Sequence, residues 1–422
     1  MEFQTPKGTR DFLPQEMIRR QFVIEKIQNV FEKFGFEPFN TPAFEEFELL
    51  SAKSGEDVKR QIYDFEDKGG RRLGLRFDLT VPMARVVASN PQLAKPFKRY
   101  AIAPVWRYEE VTAARKREFW QCDADVVGSS SMEADAECIA AAVECFKELG
   151  FKKFKILLNN RKILEGFVEL LKIEKEKSLD IFRVIDKIKK FGEATVESEL
   201  NKIGLTKDQI MQLIGFMKIK KEAIKFKEIA IWMEGFSELA QIKEKLEQYG
   251  FAEYVEYDFS LARGLDYYTG PIFEIFIKDY EKYGSVAGGG RYDTLIETFG
   301  GRPTAATGIS LGIERIMEIM EQEKMFKLEK TLTKVFVASV NEKVKNDAIK
   351  IVNDLRKNEI NCQIDLMNRS LGKQLEYADS AGIPFVAIVG EKELKKKKVM
   401  LRNMKTKKEK EVLIYKLKEN LR

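Results

Sequence analysis

The residues of this chain best suited to chemistry sit on short alternating segments. In EFWQCDADVVG, a period of two puts Phe119, Gln121, Asp123 and Asp125 on one strand face and Trp120, Cys122, Ala124 and Val126 on the other. An amide and two carboxylates thus line up beside an aromatic ring. Just upstream, VWRYEE places Arg107 and Glu109 on one face of a second strand, and the polar stretch 110–116 reads as the hairpin loop between them. The shared surface suits a phosphate held by Arg107, a base stacked on Phe119, and a cationic or hydrogen-donating group beside Asp125. A sheet laced with surface ion pairs would account for the charges, but not for an aromatic ring set among them.

Three further segments add to this surface. LGLRFDLT alternates, with Arg76, Asp78 and Thr80 on one face and Leu73, Leu75, Phe77 and Leu79 on the other. YVEYDFSLA predicts a strand burying Val255, Tyr257, Phe259 and Leu261; it leads into RGLDYYTGPIFEIF, where Arg263 ends the strand and Tyr267 and Tyr268 offer hydroxyls on water-excluding rings. The glycines of VAGGGRYD let a backbone approach a ligand closely. TGISLGIERIMEIM, read as one helix, carries Ile309, Ile313, Ile316 and Met320 on one face and Gly308, Gly312 and Arg315 on the other, which would let Arg315 reach across a smooth groove to a phosphate.

Whatever this surface does, it does without imidazole, because the 422 residues contain no histidine. That removes the commonest general base and transition-metal ligand together. The four cysteines, Cys122, Cys138, Cys145 and Cys362, form no C-x-x-C pair and read as small buried residues. No run approaches the roughly 18 apolar residues of a membrane span, and the first twenty residues lack a signal-peptide core, so a cytoplasmic location is expected.

The chain is too long for one ordinary core, and two or three domains are expected. From Lys334, VFVASV, residues 346–357, CQIDLM, residues 371–381 and FVAIVG alternate as βαβαβ, a small α/β domain with a mainly parallel sheet. The charged stretch 321–330 is the expected linker. From Thr331 onward 21 Lys and Arg face 12 Asp and Glu, a net +9 in a chain of net +6, so the preceding residues carry −3. Lys395 to Lys398 and Lys405 to Lys410 supply much of this excess, which suggests a polyanion contacted by the C-terminal part. Residues 170–249 are Lys/Glu-rich and helical, with Ile210, Leu213, Ile214 and Met217 at helical spacing; they read as a helical insertion.

The Arg107 to Glu109 segment, the run Arg115 to Phe119, and Gly308 to Arg315 resemble motifs 2 and 3 of class II aminoacyl-tRNA synthetases. KGTRDFLP and the helix after it look like the dimer-forming motif 1 region. RGLDYYTG and GGGRYD are similar to the two signatures of the histidyl-tRNA synthetase family, and RFDLTVPMAR with FWQCDAD looks closest to its archaeal and eukaryotic branch. The resemblance implies an α+β catalytic domain (1–325) with a central mostly antiparallel sheet and flanking helices, interrupted at about 170–249, then a C-terminal α/β anticodon-binding domain (331–422). It implies histidine, ATP with Mg²⁺, and histidine tRNA as substrates and partners, a homodimer, and no dedicated metal ligands that can be named. Catalytic roles would fall to Arg107, Arg263 and Arg315. Asp78, Thr80, Gln121, Asp125, Tyr267 and Tyr268 would hold histidine, and Arg107, Glu109, Arg115, Phe119 and Arg315 would hold ATP. The motif 2 loop VTAAR and Thr294 depart from the family pattern. The competing reading is a non-catalytic, histidine-binding regulatory paralogue of histidine biosynthesis, which would lack the nucleotide residues and the basic C-terminal domain.

Overall fold

The computed structural model describes residues 3–52, 56–112, 115–186, 188–218, 229–262 and 266–421. It forms two compact units, one of residues 1–11 and 22–325, the other of residues 12–21 and 326–422. The first unit contains β1 (Glu37–Pro38), β2 (Phe44–Glu46), β3 (Asp64–Glu66), β4 (Arg72–Leu75), β5 (Phe97–Trp106), β6 (Glu118–Val127), β7 (Phe154–Asn160), β8 (Val255–Tyr257), β9 (Pro271–Ile277), β10 (Ala287–Arg291) and β11 (Ala306–Gly312). Eight of these make one sheet in the order β1-β5-β6-β11-β10-β9-β7-β8. Its interior pairs are antiparallel, and only the edge pairs, β1 with β5 and β7 with β8, are parallel. The mostly antiparallel central sheet expected from the motifs is therefore present.

One face of that sheet is sealed by the helix Met132–Glu148, which lies against β11 and β6. Ser131 caps it by accepting a hydrogen bond from the Glu133 amide at 3.2 Å. Ala136, Ala140, Ala141 and Ala142 are wholly buried, and such short side chains let helix and sheet approach closely. Arg291 of β10 is buried under the same helix, paired with Asp135 and donating to the carbonyls of Ser129 and Ser131 at 3.0 Å each.

Two alternating segments end earlier than their patterns suggest, and a segment read as one helix divides into strand and helix. In LGLRFDLT only β4 is strand; Thr80 opens the helix Thr80–Ser89, and the Asp78 carboxylate accepts from the Val81 amide at 3.0 Å, satisfying one of the unpaired donors of its first turn. Pro82 fits that first turn because no intrahelical bond is asked of its nitrogen there. In YVEYDFSLA the strand stops at Tyr257, where the Asp258 side chain accepts from the Ser260 amide at 3.0 Å and turns the chain. Phe259 and Leu261 are buried as expected, whereas Val255 and Tyr257 are only half-buried. TGISLGIERIMEIM is not one helix: Ala306–Gly312 is β11, and the helix runs Ile313–Gln322. The glycines belong to the strand because they serve sheet neighbours, described below.

The stretch read as a helical insertion contains helices Ser178–Ile185, Glu193–Lys202, Lys207–Met217 and Ala230–Gln248. Ile210, Leu213, Ile214 and Met217 are buried, and Phe216 stacks on Phe167 at 4.2 Å with Trp232 5.2 Å away. Cys122, Cys138 and Cys145 are buried; Cys362, expected to be buried too, is half-exposed at the edge strand of the second unit.

In that unit β12 (Val335–Ser339), β13 (Cys362–Ile364) and β14 (Phe385–Val389) are parallel, linked through helices Lys345–Lys357 and Leu371–Ser380. To these β15 (Lys398–Asn403) and β16 (Glu409–Leu413) add an antiparallel hairpin that lysine-rich flanks conceal in the sequence. Only Val399 and Leu401 mark the buried face of β15.

Candidate active site

The site is built on the sheet face opposite the sealing helix. Its rows follow from register. Arg99 of β5 pairs with Asp125 of β6, Asp125 with Gly308 of β11, and Gly308 with Gly290 of β10. The next row runs Ala101, Asp123, Ser310, Gly288, and the next Ala103, Gln121, Gly312. Partners across antiparallel strands project to the same side, so this face carries acids and an amide on β6 and almost nothing on β10 and β11. A trough results, floored by glycine. Its floor admits no side chains: a Cβ on Gly308 would lie 2.0 Å from Asp125 Oδ1, and one on Gly290 would lie 2.6 Å from the Pro271 carbonyl oxygen.

At one end the trough deepens into a cavity of about 160 Å³ lined by Arg107, Glu109, Arg115, Phe119, Gln121, Ser310, Gly312, Glu314 and Arg315 among others. Arg107 and Glu109 do not lie on a strand, since β5 ends at Trp106; they begin the irregular hairpin whose loop includes the Thr112–Arg115 bridge. The hairpin is nonetheless held. Arg107 and Arg117 pair through their backbones at 2.9 Å, and the Arg117 amide donates to Gly8 of the N-terminal segment at 2.9 Å. Arg107 Nε donates to the Phe77 carbonyl at 2.9 Å, leaving its guanidinium 5.1 Å from the Phe119 ring centre. Arg115 pairs with Glu109 at 3.3 Å. Arg315, in the first turn of its helix, donates to the Ser285 carbonyl at 2.5 Å. Burial pushes the Arg315 guanidinium below its usual pKa; Arg115 and Arg107 push it the same way, while Glu274 and Glu109 oppose them. Three guanidiniums thus converge on one cavity, whose lining includes the carboxylates of Glu109 and Glu314.

Gln121 marks the transition, its amide donating to Ser310 Oγ at 2.7 Å. Beyond it the face becomes acidic and aromatic. Asp78, Asp123 and Asp125 are each 2% exposed. Tyr267 donates to Asp78 at 3.4 Å, its ring 5.0 Å from Tyr268 and 5.8 Å from Tyr292. Asp125 Oδ1 accepts from the Tyr292 hydroxyl, and Asp125 Oδ2 is 2.7 Å from Arg99 Nη2. Burial raises the pKa of all three carboxyls; Arg99 works against this for each, and the neighbouring Asp125 adds to the rise at Asp123, which is pushed up to about 7.

Ten of the twelve expected site residues are thus on this face or at its rim: Asp78, Gln121, Asp125, Tyr267 and Tyr268 toward the acidic end, Arg107, Glu109, Arg115, Phe119 and Arg315 at the cavity. Thr80 is buried at the start of its helix next to the Asp78 cap, not on a strand. Arg263 lies outside the described residues, as do Ala113 and Ala114 of the VTAAR loop. Sequence reasoning left Arg99, Ser310 and Tyr292 without roles. Arg99 was legible as the charged member of a face otherwise made of Ala101, Ala103 and Val105, and Tyr292 stood inside GGGRYD.

The sheet and the two-ended trough are those of the class II aminoacyl-tRNA synthetase catalytic fold. A solved histidyl-tRNA synthetase from Nostoc sp. PCC 7120 superposes with a TM-score of 0.85 at 32% identity, covering 100% of this chain and 99% of that one. A structure titled as an ATP phosphoribosyltransferase regulatory subunit/histidyl-tRNA synthetase from Bacillus halodurans shares the fold at a TM-score of 0.76 and 22% identity, over 92% of this chain and 98% of that one. The histidyl-tRNA synthetase family model matches residues 8–316, and an anticodon binding domain model matches 334–422. Proteins named histidine–tRNA ligase from Aeropyrum pernix and Thermococcus kodakarensis are 42% and 39% identical, covering 92% and 96% of this chain and 90% and 95% of their own lengths. A bacterial relative of that name, from Clostridium tetani, is 40% identical over 94% of this chain and 93% of its own. The chain belongs to the histidyl-tRNA synthetase family.

Proposed function

We propose that this protein activates histidine with ATP, forming histidyl-adenylate and pyrophosphate, and transfers the histidine to its tRNA. The observation that carries the reading is the trough itself, where a cavity with three converging guanidiniums and Phe119 continues, along one strand, into a carboxylate and tyrosine end. Two residues of strand advance about 6.8 Å, so Phe119 and Asp125 stand roughly 20 Å apart along β6, a span that suits an aminoacyl-adenylate.

In this reading Phe119 stacks on adenine, Glu109 contacts adenine or ribose, Arg107 binds the α-phosphate, and Arg115 and Arg315 take the distal phosphates. Asp78, Thr80 and Gln121 hold the α-ammonium; Asp125, Tyr267 and Tyr268 surround the imidazole. The substrate carboxylate is already an anionic nucleophile, so attack on the α-phosphorus needs alignment and charge neutralisation and no protein general base. A chain without histidine loses nothing by that. Arg263, by its motif, would stabilise charge at the α-phosphate. Mg²⁺ would arrive with ATP; a cation held chiefly by phosphate oxygens needs one or two carboxylates, and Glu109 and Glu314 line the cavity, while the described residues contain no cluster of three or more metal-ligating side chains.

Residues 331–422 would bind the anticodon, 1–325 would form the catalytic domain with its helical insertion, and the enzyme would act as a cytoplasmic homodimer. No helix among the described residues is long and apolar enough to cross a membrane. The regulatory-paralogue reading is disfavoured because Arg107, Phe119 and Arg315 all line one cavity and an anticodon-binding module follows. The test is histidine-dependent exchange of labelled pyrophosphate into ATP, run against the other amino acids. Exchange with histidine alone is expected; none with histidine would overturn the assignment.

A further inference from the structure

Asp125 does not stand alone at the acidic end. Its partner Arg99 is wholly buried, 2.7 Å from Asp125 Oδ2 and 3.1 Å from the Leu79 carbonyl, with the Phe39 ring 5.7 Å away. Oδ1 takes the Tyr292 hydroxyl and lies over Gly308, whose missing Cβ makes room for it. A carboxylate oxygen accepts more than one hydrogen bond, so Oδ1 can still receive an N–H.

We propose that Arg99 is a specificity-positioning residue: by occupying one oxygen of Asp125 and balancing its charge, it makes the site select the neutral imidazole over imidazolium and over cationic amino acids. The inference rests on the histidine-binding reading of this end of the trough.

The charges around the pair support it. Facing Arg99 and Asp125 are Asp123 on the same strand as Asp125, Asp78 at the start of the helix Thr80–Ser89, Cys138 on the sealing helix, Tyr292 after β10 and, beyond Asp78, Tyr267. Arg76 also acts on Asp123, but it is anchored on the carbonyls of Thr41 and Pro104 at 2.6 and 3.1 Å; Arg107 acts on Asp78 and would turn to phosphate once nucleotide binds. Asp123, held near pH 7 by burial and by Asp125, carries a proton part of the time. Below pH 7, where Asp123 mostly holds its proton, what remains is Asp78 and Asp125 against Arg99 and the α-ammonium of the substrate. That sum closes with an uncharged ring. Removing the guanidinium leaves an unbalanced buried anion, and unpaired buried charge is the costliest arrangement available, so a proton on the substrate ring would be recruited to fill the gap.

The experiment measures KM for histidine, KM for ATP and kcat in pyrophosphate exchange from pH 5.5 to 8.5 for the parent, Arg99→Met, Arg99→Lys and Asp125→Asn. In the parent, KM for histidine should rise about tenfold per pH unit below the imidazole pKa of roughly 6.5. Arg99→Met should raise KM at pH 8 by at least about tenfold and reverse the slope, binding better as pH falls. Arg99→Lys should restore the parental slope with a smaller loss. Asp125→Asn, which strands the Arg99 cation, should keep the parental rise at low pH, already the limit for one proton, at a higher KM throughout, and it decides the matter if the methionine variant does not fold. KM for ATP should stay within twofold throughout. A parental slope in Arg99→Met, or a flattened or reversed one in Asp125→Asn, overturns the inference. A parent without histidine-dependent exchange would sink the functional reading and this inference with it.

Discussion

Gly308 shows how much of this site depends on an absent side chain. An alanine there would drive its Cβ to 2.0 Å from Asp125 Oδ1 and 3.0 Å from the Ala124 carbonyl; the carboxylate is held by Tyr292 and Arg99, and the carbonyl belongs to a strand paired on both sides. Gly308→Ala is therefore expected to raise KM for histidine by more than about tenfold while leaving KM for ATP nearly unchanged, with a stability cost of about 1–3 kcal/mol from overpacking. Steady-state exchange kinetics and a thermal melt separate the two effects. Asp123 makes a prediction in pH. Its folded pKa of about 7 stands above the ordinary 3.8, so the fold favours the protonated carboxyl. The stability it contributes is complete below pH 4 and is lost as pH rises through 7. Asp123→Asn cannot ionise; it should melt higher than the parent at pH 8, and the gain should shrink through the interval 7 to 4 and vanish below it. A gain independent of pH would assign the effect to something other than this proton.

Among elements, β6 was fully legible, because ten residues alternate without interruption and both faces carry a clear chemical character. Segments that lean on turns were not. The period-two pattern of LGLRFDLT persists past the strand end because Asp78 caps a helix and Leu79 packs with Ala101 and Val105, and neither is visible locally. TGISLG continues the helical spacing of the residues after it and so reads as helix; what makes it strand is the close approach of β6 and β10, a property of neighbours distant in sequence. Arg99 escaped for a similar reason, since its partner lies across a hairpin. The clamp between β10 and the sealing helix offers a test at this scale. Asp135 and Arg291 are 0% and 2% exposed, and removing the carboxylate leaves a buried guanidinium with only the partly exposed Asp293 at 3.2 Å as its anionic partner. Asp135→Ala should cost roughly 3–5 kcal/mol, read as a lowered denaturant midpoint with an unchanged slope.

At the scale of the whole molecule, charge is distributed so that the second unit holds the cationic excess. Lys395, Lys397 and Lys405 are exposed on it. Reversing all three to Glu should raise KM for tRNA and flatten its dependence on salt, because fewer counterions are released on binding, while pyrophosphate exchange stays at the parental rate. Unchanged charging kinetics would move the RNA contact elsewhere. The chain's lack of histidine, first met as a limit on its chemistry, also makes it spectroscopically silent in one channel. With no imidazole among its 422 residues, every imidazole resonance in a nuclear magnetic resonance spectrum of the complex belongs to the ligand. With isotopically labelled histidine, the charge and tautomer of the bound ring can therefore be followed with no protein imidazole competing.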